Sequence, residues 1–243
     1  MSTSVTSQPP ITQLSFGSVF RYHPARMLSE DEKRGRKPTA PAHSYQLMQK
    51  VKSCEASIVE FLSSRVEQAF VGYPALSSLF TGKRIVLVPV PRSSPMKSPS
   101  SSWPALWICK EILEHVISKM HVTPRLAVLL KRTSPVPPAR TGKTDERRPS
   151  KQFVTMAVDK SQLERHFHKI KAGDVVVLVD DIVTSGSTIM ASAWHVKSCL
   201  PSVEVRAFTL FRTQQDYDPC KYFEPVVGTI GYDASADWCS RDP

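Results

Sequence analysis

Residues 172–190 read AGDVVVLVDDIVTSGSTIM, and this stretch decides the fold. Val175 to Val179 is an unbroken β-branched and aliphatic run bounded by Gly173 on one side and by charge on the other. Such a run suits a short strand buried on both faces, as in the middle of a parallel sheet. Its carboxyl end carries two carboxylates, Asp180 and Asp181. After Ile182 and Val183 comes the small, hydroxyl-rich run Thr184-Ser185-Gly186-Ser187-Thr188, and Ile189 to Cys199 then reads as a helix. Strand, acidic pair, tight turn and helix make half of a βαβ unit.

That order has chemical consequences. In open parallel sheets, ligands sit beyond the carboxyl ends of the strands, where a following helix presents N–H groups that have no intrahelical partner. A phosphate suits the position, because the helix start carries partial positive charge and small residues let backbone amides close around a dianion. Gly186 supplies the permissive backbone. Two adjacent carboxylates beside such a site repel one another and need hydroxyl donors or a cation to hold them. A sugar diol on the same ligand as the phosphate would supply the donors, and Mg²⁺ the charge. An acidic strand end that merely caps the next helix needs one Asp near the helix, not two ahead of a hydroxyl-rich loop.

LVDDIVTSGST resembles the phosphoribosyl pyrophosphate (PRPP) signature of the type I phosphoribosyltransferases. The resemblance implies that Asp180 and Asp181 hold the ribose hydroxyls, and that Thr184, Ser185, Gly186, Ser187 and Thr188 hold the 5′-phosphate. It also implies an α/β fold with a mainly parallel central sheet flanked by helices and a long mobile loop. Magnesium is the implied cofactor, carried mainly by PRPP and placed near Asp180 and Asp181.

Arg84 to Val90 (RIVLVPV) repeats the buried-strand pattern and runs into Pro91-Arg92-Ser93-Ser94. In the type I transferases the loop after this strand binds pyrophosphate, and VPVPRSS resembles an element of their ComF-like branch. Pro91, Arg92, Ser93 and Ser94 are therefore the expected pyrophosphate loop. Arg92 is the expected catalytic contact, since its forked donors match phosphate oxygens. A Pro-rich strand exit with an exposed Arg is the plainer alternative. The run R-G-F-N that ComF relatives place before the next helix is replaced here by SSWPA.

A third strand is expected at Arg125 to Leu130, followed by the basic run KRTSPVPPARTGKTDERRPSKQ over residues 131–152 and a returning strand at Phe153 to Val158. A loop this long inside a compact domain is usually functional or disordered. The family resemblance makes it the mobile loop that closes over PRPP, with Arg140, Lys143, Arg147 and Arg148 as its basic contacts. The ComF pattern has a Gln where Arg140 lies and an Asn where Ser150 lies. TGKT at Thr141 to Thr144 looks like the end of a phosphate-binding P-loop, but Pro137 stands at the required first glycine and no strand leads into it. A nucleic-acid-binding arm is the other reading of the charge.

The remaining chain gives context. Residues 1–42 are rich in Ser, Thr, Pro and mixed charge, and read as a poorly ordered segment with one apolar island at Leu14, Phe16, Val19, Phe20 and Tyr22, a short edge strand. Residues 43–243 form the expected phosphoribosyltransferase-like domain. Within it residues 43–70 read as one amphipathic helix, about Trp103 to Met120 as another and Lys160 onward as a short third. His166 and His168 diverge on a helix and make poor joint metal ligands. Tyr217, Tyr222, Phe223 and Trp238 are stacking candidates for an acceptor base.

Composition fits an enzyme in a reducing, cytoplasmic setting. The five cysteines, at 54, 109, 199, 220 and 239, show no C-x-x-C spacing. No apolar run approaches the roughly 18 residues of a membrane span, and the first residues lack a secretion signal. The formal net charge of +10 favours anionic partners, polyphosphate or nucleic acid. The expected reaction is transfer of a 5-phosphoribosyl group from PRPP to a nitrogen acceptor with release of pyrophosphate, by a monomer or a homodimer. The alternative is a PRPP-sensing regulator or nucleic-acid-associated protein on the same fold.

Overall fold

A computed structural model describes residues 9–96, 102–136, 148–167, 170–218 and 220–243. The fold is α/β, with a largely parallel seven-stranded sheet flanked by helices. The strands are β1 (Gln13–Tyr22), β2 (Ile85–Pro89), β3 (Arg125–Leu126), β4 (Leu130–Arg132), β5 (Met156–Val158), β6 (Val175–Val183), β7 (Glu204–Thr213), β8 (Phe223–Asp233) and β9 (Trp238–Asp242). The large sheet runs in the order β3-β2-β6-β7-β1-β8-β9. Its first five strands are parallel, and β8 and β9 add antiparallel at the far edge. Strands β4 and β5 form a separate antiparallel pair, Leu130 opposite Val158 and Arg132 opposite Met156.

The helices are α1 (Glu30–Lys33), α2 (Ala40–Lys52), α3 (Val59–Gly72), α4 (Pro74–Ser78), α5 (Pro104–Trp107), α6 (Glu114–Ser118), α7 (Pro149–Val154), α8 (Lys160–Phe167) and α9 (Ser187–Cys199), with a π-helical stretch, Ile108–Leu113, joining α5 to α6. No helix among the described residues is long and apolar enough to cross a membrane.

Alternating side chains on the buried strands build two cores. Ile85, Leu87, Val175, Val177 and Val179 face α2, α3 and the Ile108–Ser118 helix. Val86, Val88, Val176 and Leu178 face α9. The two-residue period of a strand thus makes each β-branched run serve both sides of the sheet. At the start of the strands Arg84 forks onto the buried Asp174, Nε to Oδ1 at 2.9 Å and Nη2 to Oδ2 at 2.8 Å, which ties the entries of β2 and β6 together.

Several expectations are corrected. The division at residue 42 fails for residues 13–22, which are the fifth strand of the sheet rather than a poorly ordered segment or an edge. Leu14 and Phe16 enter the α9 core, whereas Val19 and Phe20 enter the opposite one. Only the partners β7 and β8, some 190 and 210 residues later in the chain, show that this polar-flanked island is buried on both faces. The single helix expected over 43–70 is two helices, broken where Cys54 takes a left-handed φ of 57°. Both halves still bury their stripe against the same core.

The expected third strand pairs with the sheet only at Arg125–Leu126 before the chain departs into β4. The returning strand starts at Met156, because Pro149 opens a helix and Phe153 packs on His195 and Trp194 of α9. Truncating Phe20, which is fully buried against Phe211, Tyr222 and Phe223, removes the centre of an aromatic cluster. We expect Phe20→Ala to lose about 3–5 kcal/mol in urea unfolding, where a disordered segment would lose nothing.

Candidate functional site

The register of β2 and β6 brings two loops side by side. Pro89 lies opposite Val179, and the Val90 amide donates to the Val179 carbonyl at 2.8 Å. The chain leaving β2 and the chain leaving β6 therefore emerge together at the carboxyl edge of the sheet. Between them opens a cleft of about 370 Å³, lined by Pro91, Arg92 and Ser93 from one loop and by Asp180 to Ile189 from the other. Trp103 steadies the first loop, its indole N–H donating to the Val90 carbonyl at 2.8 Å.

Residues 184–188 form a turn that opens α9. Gly186 is its N-cap with φ +94°, in the left-handed region. A Cβ there would come within 2.5 Å of Ile230 Cγ2, so both backbone angle and space demand glycine. No side chain caps the helix start, which leaves its first amides open to a ligand. The Ser185 and Ser187 hydroxyls lie 3.0 Å apart, and Thr184 is exposed at the rim.

The acid pair ends β6. Asp180 and Asp181 are half-buried, and the Asp181 amide donates to Asp180 Oδ1 at 2.9 Å. Burial, followed by the neighbouring Asp181 charge, pushes the Asp180 carboxyl well above the usual carboxylate range, with Arg132 opposing the shift. Among the described residues no group of three or more His, Cys, Asp or Glu side chains is placed to hold a metal ion. Two adjacent carboxylates fit a cation that a polyphosphate brings with it rather than a cage built by the protein.

Of the residues singled out from sequence, Pro91, Arg92, Ser93, Asp180, Asp181 and Thr184 to Thr188 meet in this cleft. Ser94 is exposed and outside its lining, and Arg148, the N-cap of α7, is outside it too. Arg140, Lys143 and Arg147 lie outside the described residues. The four aromatic stacking candidates are elsewhere. Tyr222 and Phe223 pack on Phe20, Tyr217 donates its hydroxyl to Glu32 Oε1 at 2.6 Å, and Trp238 starts β9.

Sequence reasoning gave no role to Lys52, Ser102, Arg132 and Gln152, which also line the cleft. Lys52 ends α2 and Ser102 precedes α5, so nothing local marks either. Arg132 lay inside the basic run read as a mobile loop, yet it is only 7% exposed. Burial pulls its guanidinium down to about 10, against the supporting charge of Asp180.

Residues 125–233 match the family model of the phosphoribosyl transferase domain. The match spans β3 to β8 and so includes the acid pair and the turn into α9, but covers less than half of the chain. It supports the type I phosphoribosyltransferase family. No curated protein matches the chain.

Two outcomes follow from this geometry. Gly186→Ala forces a side chain into a left-handed position against Ile230, and we expect a loss of about 1–3 kcal/mol in denaturant unfolding. For Asp180 the folded pKa lies above the unfolded one, so as pH rises the unfolded chain ionises first and stability falls. Asp180→Asn should therefore raise the melting temperature of the ligand-free protein at pH 7. The gain should shrink as pH approaches the ordinary Asp value of about 4, and scanning calorimetry across pH reads both.

Proposed function

We propose that this chain is a PRPP-dependent phosphoribosyltransferase that transfers the 5-phosphoribosyl group to a nitrogen acceptor. One observation carries the reading. A single cleft joins an open helix start, an acid pair and an arginine-bearing loop, the three kinds of group that the phosphate, ribose diol and pyrophosphate of PRPP call for. The family match over residues 125–233 supports the same chemistry.

In this reading the turn 184–188 takes the 5′-phosphate on its amides and hydroxyls. Asp180 and Asp181 accept from the ribose hydroxyls, which relieves their mutual repulsion and favours the ionised form of Asp180. Pro91 to Ser94 and the Arg92 side chain take the pyrophosphate. The C1–O bond to pyrophosphate breaks as a C1–N bond forms, and the acceptor nitrogen gives up a proton. Positive charge develops on the ribose ring as in an oxocarbenium ion, so no covalent nucleophile on the protein is needed. Asp180 and Asp181 would hold Mg²⁺ through the bound PRPP, and the ion would supply positive charge to the departing pyrophosphate. Arg140, Lys143, Arg147 and Arg148 would add positive charge for the departing pyrophosphate.

Position 184 narrows the acceptor. The hypoxanthine-guanine enzymes carry an Asp there as the purine's base, and here the residue is Thr184. A pyrimidine, adenine or amine acceptor fits better. The VPVPRSS element favours the ComF-like branch, and five free cysteines fit a cytoplasmic setting.

The test is pyrophosphate release from PRPP and Mg²⁺ over a panel of bases and amines. We expect release with at least one nitrogen acceptor, reduced at least about 100-fold by the double change Asp180→Asn with Asp181→Asn. PRPP binding without release, together with salt-sensitive DNA or RNA binding, would replace the enzyme by a sensor, as the +10 charge allows. Absence of PRPP binding at millimolar concentration would end the proposal.

A further inference from the structure

Arg132 closes β4 and is almost wholly buried, yet its side chain reaches the cleft wall. Its Nε donates to the Arg92 carbonyl at 2.8 Å. Its Nη1 donates to Thr155 Oγ1 at 2.6 Å and to Gln152 Oε1 at 3.3 Å. Among the described residues it has no carboxylate within ion-pair distance, and Asp180 is the negative charge that acts on it. An arginine buried on these terms is expensive unless its donors are used. Here Nε is used on the loop that follows β2, and Nη1 on Thr155 and Gln152 behind it.

A second bond points the same way. The Val136 amide, four residues beyond Arg132, donates to the Ser93 carbonyl at 2.7 Å. The segment leaving β4 thus grips two successive carbonyls of the 91–94 loop. In a trans peptide the carbonyl and the following N–H point in opposite directions. Fixing the Arg92 carbonyl therefore fixes where the Ser93 amide points, and fixing the Ser93 carbonyl does the same for the Ser94 amide.

We propose that Arg132 is a positioning residue for the pyrophosphate end of the cleft: anchored on Thr155 and Gln152, it holds the Arg92 carbonyl and so orients the Ser93 amide toward the anion. The inference rests on the PRPP reading of the cleft. It makes the β4–β5 pair a brace for the loop after β2, although that loop lies far from it in sequence.

The test compares two ligands that differ only at that end. Calorimetry on wild type and Arg132→Met should show Mg²⁺-PRPP affinity falling at least about tenfold while ribose 5-phosphate affinity changes less than about threefold. Hydrogen exchange in the ligand-free protein should show the Val136 amide, which donates to the Ser93 carbonyl, losing protection as the loop loosens. Arg132→Lys, which keeps the charge but not the fork, should recover part of the PRPP affinity and little of the protection. If Arg132→Met does not fold, Thr155→Val removes one anchor outside the cleft lining and should show the same selectivity at smaller amplitude.

Equal losses for the two ligands, or unchanged protection at Val136, would overturn the inference. A wild-type protein that binds no PRPP would instead retire the proposed function. The exchange comparison, which needs no ligand, would then still decide whether Arg132 orients the loop.

Discussion

The parallel pairing of Ile85–Pro89 with Val175–Val179 is the constraint from which the rest follows. Each strand is apolar at every position, so each must be covered on both faces, and helices on either side of the sheet do this. Parallel register then forces both carboxyl ends to one edge. Whatever polar chemistry follows these strands is brought together there without any contact between the loops in sequence. The apolar part of β6 stops where Asp180 begins, at the depth where the sheet gives way to the cleft.

That placement has an electrostatic cost, and the surroundings are organised to limit it. Asp180 is disfavoured as an anion by burial and by Asp181, and the compensating charge is Arg132, itself disfavoured as a cation by burial. Each group lowers the penalty of the other without a direct ion pair. A site poised in this way gains from a ligand that offers hydroxyls to the acids and anionic oxygens to the basic side, since binding relieves strain on both. The open start of α9, where Gly186 excludes any larger residue, adds partial positive charge nearby.

Much of this was legible in the chain. The β-branched run, the acid pair and the hydroxyl-rich turn are contiguous, and contiguous residues on a strand, a turn and a helix carry their geometry with them. The same holds for RIVLVPV and the loop after it. What escaped was nonlocal. Leu14 to Phe20 looks like an isolated apolar island until β7 and β8 are set beside it, and Arg132 and Gln152 look like members of a polar loop until the β4–β5 pair folds over the cleft. Cys54 broke a helix whose periodicity ran straight through it, because a left-handed residue leaves no mark on the apolar spacing. The aromatic residues at 222 and 223 suggested a stacking platform, but their partner is Phe20, whose burial depends on the same distant pairing.

The position of β1 also bears on how the chain is made. Its partners in β7 and β8 are translated about 190 residues or more after it. Until they emerge from the ribosome, Phe16 and Phe20 have no sheet to enter, and the ladder groups of that strand stay unpaired. Contacts this distant close a long loop before they are rewarded, which slows the final step of folding. The nascent protein therefore displays an adhesive, β-prone ribbon throughout most of its synthesis, the kind of surface that holding chaperones shield.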